Sequence, residues 1–200
     1  MNPVVVARSA MPSTMGGMAQ SDTHPTPDDT LLARYAAGDA GAFDSLYGRY
    51  KDRVWHYAYR SVGFDNAAAA DVCQDIWLKV VRDAKRYQPN GLFDRWLFGI
   101  AHNTLIDRFR RTDPVASSST AEPPDLAHFV ERFAVTDQLE HALRQLSAVQ
   151  RSALLLHHVE GYTLDEIAQL ENTGPETVKS RMRYGIRSLR QLLGGSRGPQ

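Results

Sequence analysis

The chain has one cysteine, Cys73, in 200 residues. No disulfide can form within it, which fits a reducing compartment. No apolar run approaches the roughly 18 residues that a membrane-spanning helix needs, so no membrane insertion is expected. The first twenty residues hold too short an apolar stretch and too little basic charge for a secretory signal. Residues 1–27 read as a disordered tail, in which Met11, Met15 and Met18 offer alternative starts to Met1. Strand signals are nearly absent. There is no Gly-rich phosphate loop and no His-Glu-x-x-His helix, the patterns that would point to nucleotide or zinc chemistry. We therefore expect no cofactor, no metal and no catalytic residues.

Net charge is absent too: 23 Lys and Arg balance 23 Asp and Glu. The distribution is uneven. Residues 76–112 carry eight basic side chains against three acids, and residues 172–200 carry six against one. Residues 28–75 and 113–171 are net acidic. Alternating blocks of opposite sign suggest separate surfaces for separate partners.

What is present is helical periodicity. Asp28 or Asp29 is placed to cap a short helix holding Leu31, Leu32 and Tyr35, with Gly38 as its stop. A second helix carries Phe43, Leu46, Tyr47, Tyr50, Val54 and Tyr57 and is broken by "VGFDN". A third spans about 66–85, with Val72, Ile76, Val80 and Val81 on one face. After the loop "YQPNG", a fourth runs from about Asp94 to Arg111 over Leu97, Ile100, Ala101, Leu105 and Ile106. "TDPVASSSTAEPPD" cannot bury a core, so residues 113–135 read as a flexible linker. The fold class expected is all-α, with one helical domain over 28–112, a second over 136–194, and a short tail at 195–200.

In the second domain Leu139, Leu143 and Leu146 mark one helix, and Ser147 caps the next. Thr163 and Glu166 form a capping box on the short helix "TLDEIAQL". After "ENTG", Pro175 opens a long helix at the position where its missing N–H costs nothing. Val178, Met182, Ile186, Leu189 and Leu193 form its apolar stripe, set to pack on Leu164, Ile167 and Leu170. The other face stacks Lys179, Arg183 and Arg187 at four-residue spacing, with Glu176, Ser180 and Tyr184 beside them. Like charges so placed repel by a few tenths of a kcal/mol. A solvated helix face is the plain alternative. A short helix, a tight turn and a basic helix make a helix-turn-helix, whose second helix meets DNA, and phosphates would relieve the repulsion.

In the first domain Asp71, Gln74, Asp75 and Lys79 share a polar helix face. Tyr87, Phe93, Trp96 and Phe98 cluster about the loop, followed by Asn103, Arg108, Arg110 and Arg111. Aromatics beside a basic helix suit single-stranded nucleic acid, while Phe98 and Trp77 read as core. His157 and His158 are adjacent and point to different sides of a helix, so they read as surface or packing residues. Cys73 reads as a small buried residue.

The stretches "GDAGAFDSLYGRY", "DVCQDIWLKV", "RWLFGIAHNTLIDRFRR" and "TLDEIAQL…GPETVKSRMRYGIRSLRQLL" resemble regions 2 and 4 of bacterial sigma-70-family factors, in the extracytoplasmic-function (ECF) group that keeps these two regions. The resemblance implies a protein that binds RNA polymerase core, directs it to promoters through −35 and −10 elements and assists melting. It places Asp71, Gln74, Asp75 and Lys79 on the β′ clamp helices and region 4 at the β flap. It places Tyr87, Trp96, Asn103, Arg108, Arg110 and Arg111 at the −10 element. Glu176, Lys179, Ser180, Arg183, Tyr184 and Arg187 fall at the −35 element. An anti-sigma factor is a further partner the family implies, and the setting is cytoplasmic. Three departures stand out: Ala70 where a Glu is usual, Glu171-Asn172 where Leu-Gly is frequent, and Glu176 where Gly is common. A helix-turn-helix activator, a small enzyme and a purely protein-binding helical adaptor are the rival readings.

Overall fold

A computed structural model describes residues 25–112 and 137–194. The expectations for most of the N-terminal tail, for the linker and for residues 195–200 lie outside the described residues. Every regular element among those described is a helix. In chain order they are α1 (Asp28–Ala36), α2 (Ala40–Ser61), α3 (Asn66–Asp83) with a 3-10 turn at Ala84–Arg86, α4 (Phe93–Thr112), α5 (Asp137–Arg144), α6 (Ala148–His158), α7 (Leu164–Leu170) and α8 (Pro175–Gly194).

The helices start where short polar side chains can take the orphaned N–H groups of a first turn. Asp39 accepts from the Ala42 N–H, and Asp65 from those of Ala67 and Ala68. Ser147 with Gln150, and Thr163 with Glu166, form reciprocal capping boxes on α6 and α7. The expected cap of α1 is not formed. Pro27 precedes that helix with no side-chain cap, and both aspartates turn to tertiary partners. Asp28 accepts from Tyr50 Oη at 2.6 Å and from Arg49 Nη1 at 2.5 Å. Asp29 reaches residues 87 and 91.

The first bundle closes over Leu32, Leu46, Val54, Ile76, Leu97 and Leu105, all fully buried. Val81, expected on the buried face of α3, is 41% exposed. It sits one residue round from Val80, which takes the core position. The fourth helix begins at Phe93, so the preceding loop is shorter than the pattern implied. In the second bundle Val178, Met182, Ile186 and Leu189 bury the stripe of α8 beside Ile167 and Leu156.

The two bundles share one hydrophobic cluster, and the contact between them is notably polar. Tyr57 Oη, His102 Nδ1 and Ser152 Oγ form a buried triangle with sides of 3.1, 2.9 and 3.0 Å. The buried Arg151 of α6 donates through Nε and Nη2 to the Ser61 carbonyl at 2.9 and 2.7 Å. It also donates through Nη1 to the Leu143 carbonyl at 3.0 Å. Its partners are the C-terminal ends of two helices, where the macrodipole is negative, and burial lowers its guanidinium pKa to about 10. Gly99 of α4 lies against α7: a Cβ there would meet Leu170 Cδ2 at 3.1 Å, so the two helices approach closely at this point.

Candidate nucleic-acid interface

Helices α7 and α8 are joined by a turn in which Asn172 takes a positive φ of 50°. The Thr173 N–H donates to the Ala168 carbonyl and the Asn172 N–H to that of Gln169. This is the left-handed stop at which glycine is usual, and asparagine is among the few other residues that tolerate it. The neighbouring Glu171 has a function the sequence did not reveal. Its side chain is 4% exposed; it accepts from Arg181 Nη1 and its Oε1 lies 3.2 Å from His102 Nε2. The His102 contact is not aligned as a hydrogen bond. Glu171 thus fastens α8 to the turn and lies against the first bundle at His102.

With Arg181 drawn to Glu171, the opposite face of α8 is left to the other polar side chains. Glu176, Lys179 and Arg187 are exposed, while Ser180, Arg183 and Tyr184 are half-buried. Lys179 Nζ lies 3.3 Å from Glu176 Oε1 across one helical turn. That pair is worth a few tenths of a kcal/mol in water and can be exchanged for a phosphate contact.

On α4, Trp96, Asn103 and Arg110 recur every seven residues and therefore share one face. Asn103 and Arg110 are exposed and Trp96 is half-buried. Trp96 packs against Tyr87 with ring centroids 4.9 Å apart and planes tilted by 55°, and Phe93 backs both at 5.8 and 6.2 Å. Phe98 instead faces inward onto Tyr57. Arg111 is exposed, and Arg108 Nη1 sits 3.9 Å from Asp71 Oδ2 on α3. Trp96, Asn103 and Arg110 thus form one strip along α4, with Arg111 beside its end and Arg108 turned toward α3.

The sequence profile of Sigma-70 region 2 matches residues 46–114, and that of Sigma-70 region 4 matches residues 136–189. The ECF RNA polymerase sigma factor SigK of Mycobacterium sp. (strain KMS) is 32% identical over 178 residues, spanning 84% of this chain and 91% of SigK. The chain belongs to the sigma-70 family, in its ECF group. The RNA polymerase sigma factor CarQ of Myxococcus xanthus is 34% identical over 82% of this chain and 95% of its own length. Among solved structures, CnrH in complex with the cytosolic domain of CnrY shares the fold at a TM-score of 0.59 and 24% identity, over 85% of this chain and 99% of that one. The sigma factor RpoE bound to the anti-sigma factor NepR from Bartonella quintana does so at 0.58 and 23%, over 78% of this chain and 98% of that one.

In sigma terms, the region 2 match covers most of α2 with α3 and α4, and the region 4 match covers α5 to α7 and most of α8. On region 2, Asp71, Gln74 and Asp75 are exposed along α3. Lys79 differs from them: its Nζ donates to Thr104 Oγ1 at 2.9 Å and lies 3.8 Å from Asp107, tying α3 to α4. Beside Gln74 lies an open groove of about 610 Å³ between α2 and α3, lined by Phe43, Tyr47, Trp55, Trp77 and Leu78. Leu78 is 58% and Tyr47 43% exposed. Phe43 and Tyr47 share the helical period of α2 with core residues Leu46 and Tyr50, yet they line this open face. Trp77 is only partly buried, at the edge of that groove. Burial raises the Cys73 thiol to about 11, which removes it as a nucleophile at neutral pH. His157 Nδ1 lies 2.5 Å from the Tyr162 carbonyl, a packing role. Among the described residues no cluster of three His, Cys, Asp or Glu side chains could hold a metal ion, and no helix is long and apolar enough to cross a membrane.

Proposed function

We propose that the chain acts in the cytoplasm as an ECF sigma factor that brings RNA polymerase core to promoters, reads their −35 element with α8 and captures a −10 base on α4. The observation that supports this reading is a pair of distinct surfaces on two modules: the cation-bearing helix α8, and the Tyr87–Trp96 aromatic pair followed by Asn103, Arg110 and Arg111. Lys179, Ser180, Arg183, Tyr184 and Arg187 serve duplex DNA, with Glu176 at the helix start. Tyr87, Trp96, Asn103 and Arg108 serve the melted strand with the two terminal arginines. Catalysis belongs to the polymerase. Region 4 holds the duplex while region 2 traps an unstacked base, which offsets a few kcal/mol of unpairing.

Asp71, Gln74, Asp75 and the aromatic groove beside them face the polymerase clamp, and region 4 meets its flap. The two elements lie about 25 base pairs apart by position, roughly 85 Å of duplex at about 3.4 Å per pair. A compact body of about 150 residues has a radius of gyration of about 15 Å and measures roughly 40 Å across. The closed arrangement cannot span both elements, so region 4 must separate from region 2 on promoter binding. An anti-sigma factor that holds the closed form fits this requirement.

Run-off transcription with reconstituted holoenzyme on genomic fragments tests the reading. Expected are discrete start sites that vanish when the chain is omitted. A chain that binds −35-like duplex but neither co-purifies with core nor programs it is a helix-turn-helix activator instead.

A further inference from the structure

The loop that precedes α4 is held by a residue outside the segment that matches region 2. Asp29, in the first turn of α1, accepts a hydrogen bond from Tyr87 Oη at 2.7 Å through one carboxylate oxygen and from the Gly91 N–H at 2.6 Å through the other. It is the expected helix cap that caps nothing. Around it the loop closes on itself: Asn90 Oδ1 accepts from the Leu92 N–H at 3.0 Å and from Tyr87 Oη at 3.3 Å. Gly91 sits at a φ of +74°, a backbone conformation that costs glycine nothing. Burial and the adjacent Asp29 carboxylate together hold the Tyr87 phenol protonated, so it remains a donor. The Tyr87 ring lies against Trp96, with the two planes tilted by 55°, and edge-on to Phe93.

We infer that Asp29 is a positioning residue of the −10 site, whose carboxylate fixes the loop 87–92 and sets the Tyr87 ring beside Trp96 before any DNA arrives. The inference rests on the reading of α4 as the −10 face. Two bonds to one ionised acceptor preorganise the platform, so base capture does not have to order six residues of loop at the same moment. Without the carboxylate, Tyr87 keeps only the longer Asn90 contact and the Gly91 N–H loses its acceptor, so the platform is assembled only part of the time. Helix α1 thereby becomes part of the strand-opening apparatus.

The test uses holoenzyme on a promoter with its natural −10 element and on one carrying a single-base change there, with open complexes measured by permanganate reactivity. The preference for the natural base is the readout, because a residue that merely stabilises α1 would not move it. Asp29→Ala should lower that preference about tenfold, the worth of one hydrogen bond to a charged group. Tyr87→Phe should lower it as well, and the double variant should fall no further than the worse single one. Asp29→Asn, which keeps the shape and loses the charge, should fall between. Affinity for core should be unchanged throughout. If Asp29→Ala keeps the full preference while Trp96→Ala loses it, the positioning role is wrong and the −10 reading stands. If Trp96→Ala and Asn103→Ala keep it too, the −10 reading fails, and this inference with it.

Discussion

Arg151→Met should open the closed form. In the closed body the Arg151 guanidinium bridges region 4 to the last carbonyl of α2, with two N–H groups on the Ser61 oxygen at 2.9 and 2.7 Å. Its bond to the Leu143 carbonyl lies within region 4 and is present whether the modules are together or apart, so it cancels. The Ser61 contact alone sets the effect on opening. A hydrogen bond with a charged partner is worth about 1.5–3 kcal/mol net, and two donors on one oxygen satisfy one acceptor. A value of about 2 kcal/mol corresponds to a roughly 30-fold rise in the open-to-closed ratio. Methionine keeps the length of the stem, which limits the cavity. The assay is energy transfer between dyes on cysteines placed at the exposed Lys85 and Gln191 in a Cys73→Ser background, with the free chain. Arg151→Met should enlarge the low-transfer population, and Arg151→Lys, which retains a charge but loses the fork, should lie between. An unchanged transfer distribution in a folded Arg151→Met variant would refute the assignment of Arg151 as the clasp.

Three further outcomes are expected. Glu171→Ala removes the carboxylate that pairs with Arg181. Because Arg181 is about a third exposed and can turn to water, the loss belongs at or below the low end for breaking a buried pair, about 2–3 kcal/mol. Melting should fall by roughly 10 °C; an unchanged melting temperature would count against the pair. His158 is pushed down to about 4 from 6.5, first by burial and then by the neighbouring His157. The unfolded chain therefore binds more protons between those values, so stability is complete above about 6.5 and is lost as pH falls toward 4. His158→Leu should flatten urea-unfolding stability across that window, and an identical acid profile would overturn the point. Arg187→Ala should weaken −35 duplex binding without changing sequence preference and lower the salt slope by about 0.9; a slope equal to that of the parent would exclude a phosphate contact.

Features determined within one helical turn were legible in the sequence. The Thr163–Glu166 box, the stripe Val178 to Leu189 and the launch of α8 at Pro175 all depend on neighbours three or four residues away, and all are present. Features determined by distant neighbours were not. Asp28 and Asp29 have the chemistry of caps, yet their partners lie 21 to 62 residues along the chain. Glu171 and Asn172 looked like a departure from family habit. In the structure Asn172 supplies the left-handed turn and Glu171 the anchor for Arg181. Arg151 precedes five apolar or small residues, Ser152 to Leu156, and no rule of spacing predicts that a charge there is buried on a carbonyl of another module. Lys79 shares the polar face of α3 but is claimed by Thr104.

The interface between the modules has the composition of one meant to part. Domain contacts within a chain resemble transient interfaces and are more polar than obligate ones. Beside the shared hydrophobic cluster, the polar contacts are Arg151 on Ser61, Arg53 on Glu160 at 2.7 Å, Arg95 on the carbonyls of Glu160 and Gly161 at 3.3 and 3.0 Å, and the His102–Ser152–Tyr57 triangle. Each of these groups regains water when the modules separate, so opening exchanges one set of hydrogen bonds for another. An apolar interface would offer no such exchange. Glu160 shows the balance directly: burial raises its carboxyl pKa while Arg53 opposes the rise, so closure works against solvation at that point. In the closed body Glu176, Lys179 and Arg187 on α8 and Asn103, Arg110 and Arg111 on α4 are exposed, while Arg183 Nε and Tyr184 Oη are buried; what closure forbids is use of both faces at once. Docking on polymerase need act on neither face directly. It needs only to hold the modules apart, and any ligand that binds the separated form better shifts the population by that difference. Polymerase and promoter then favour the same state, and each strengthens the binding of the other.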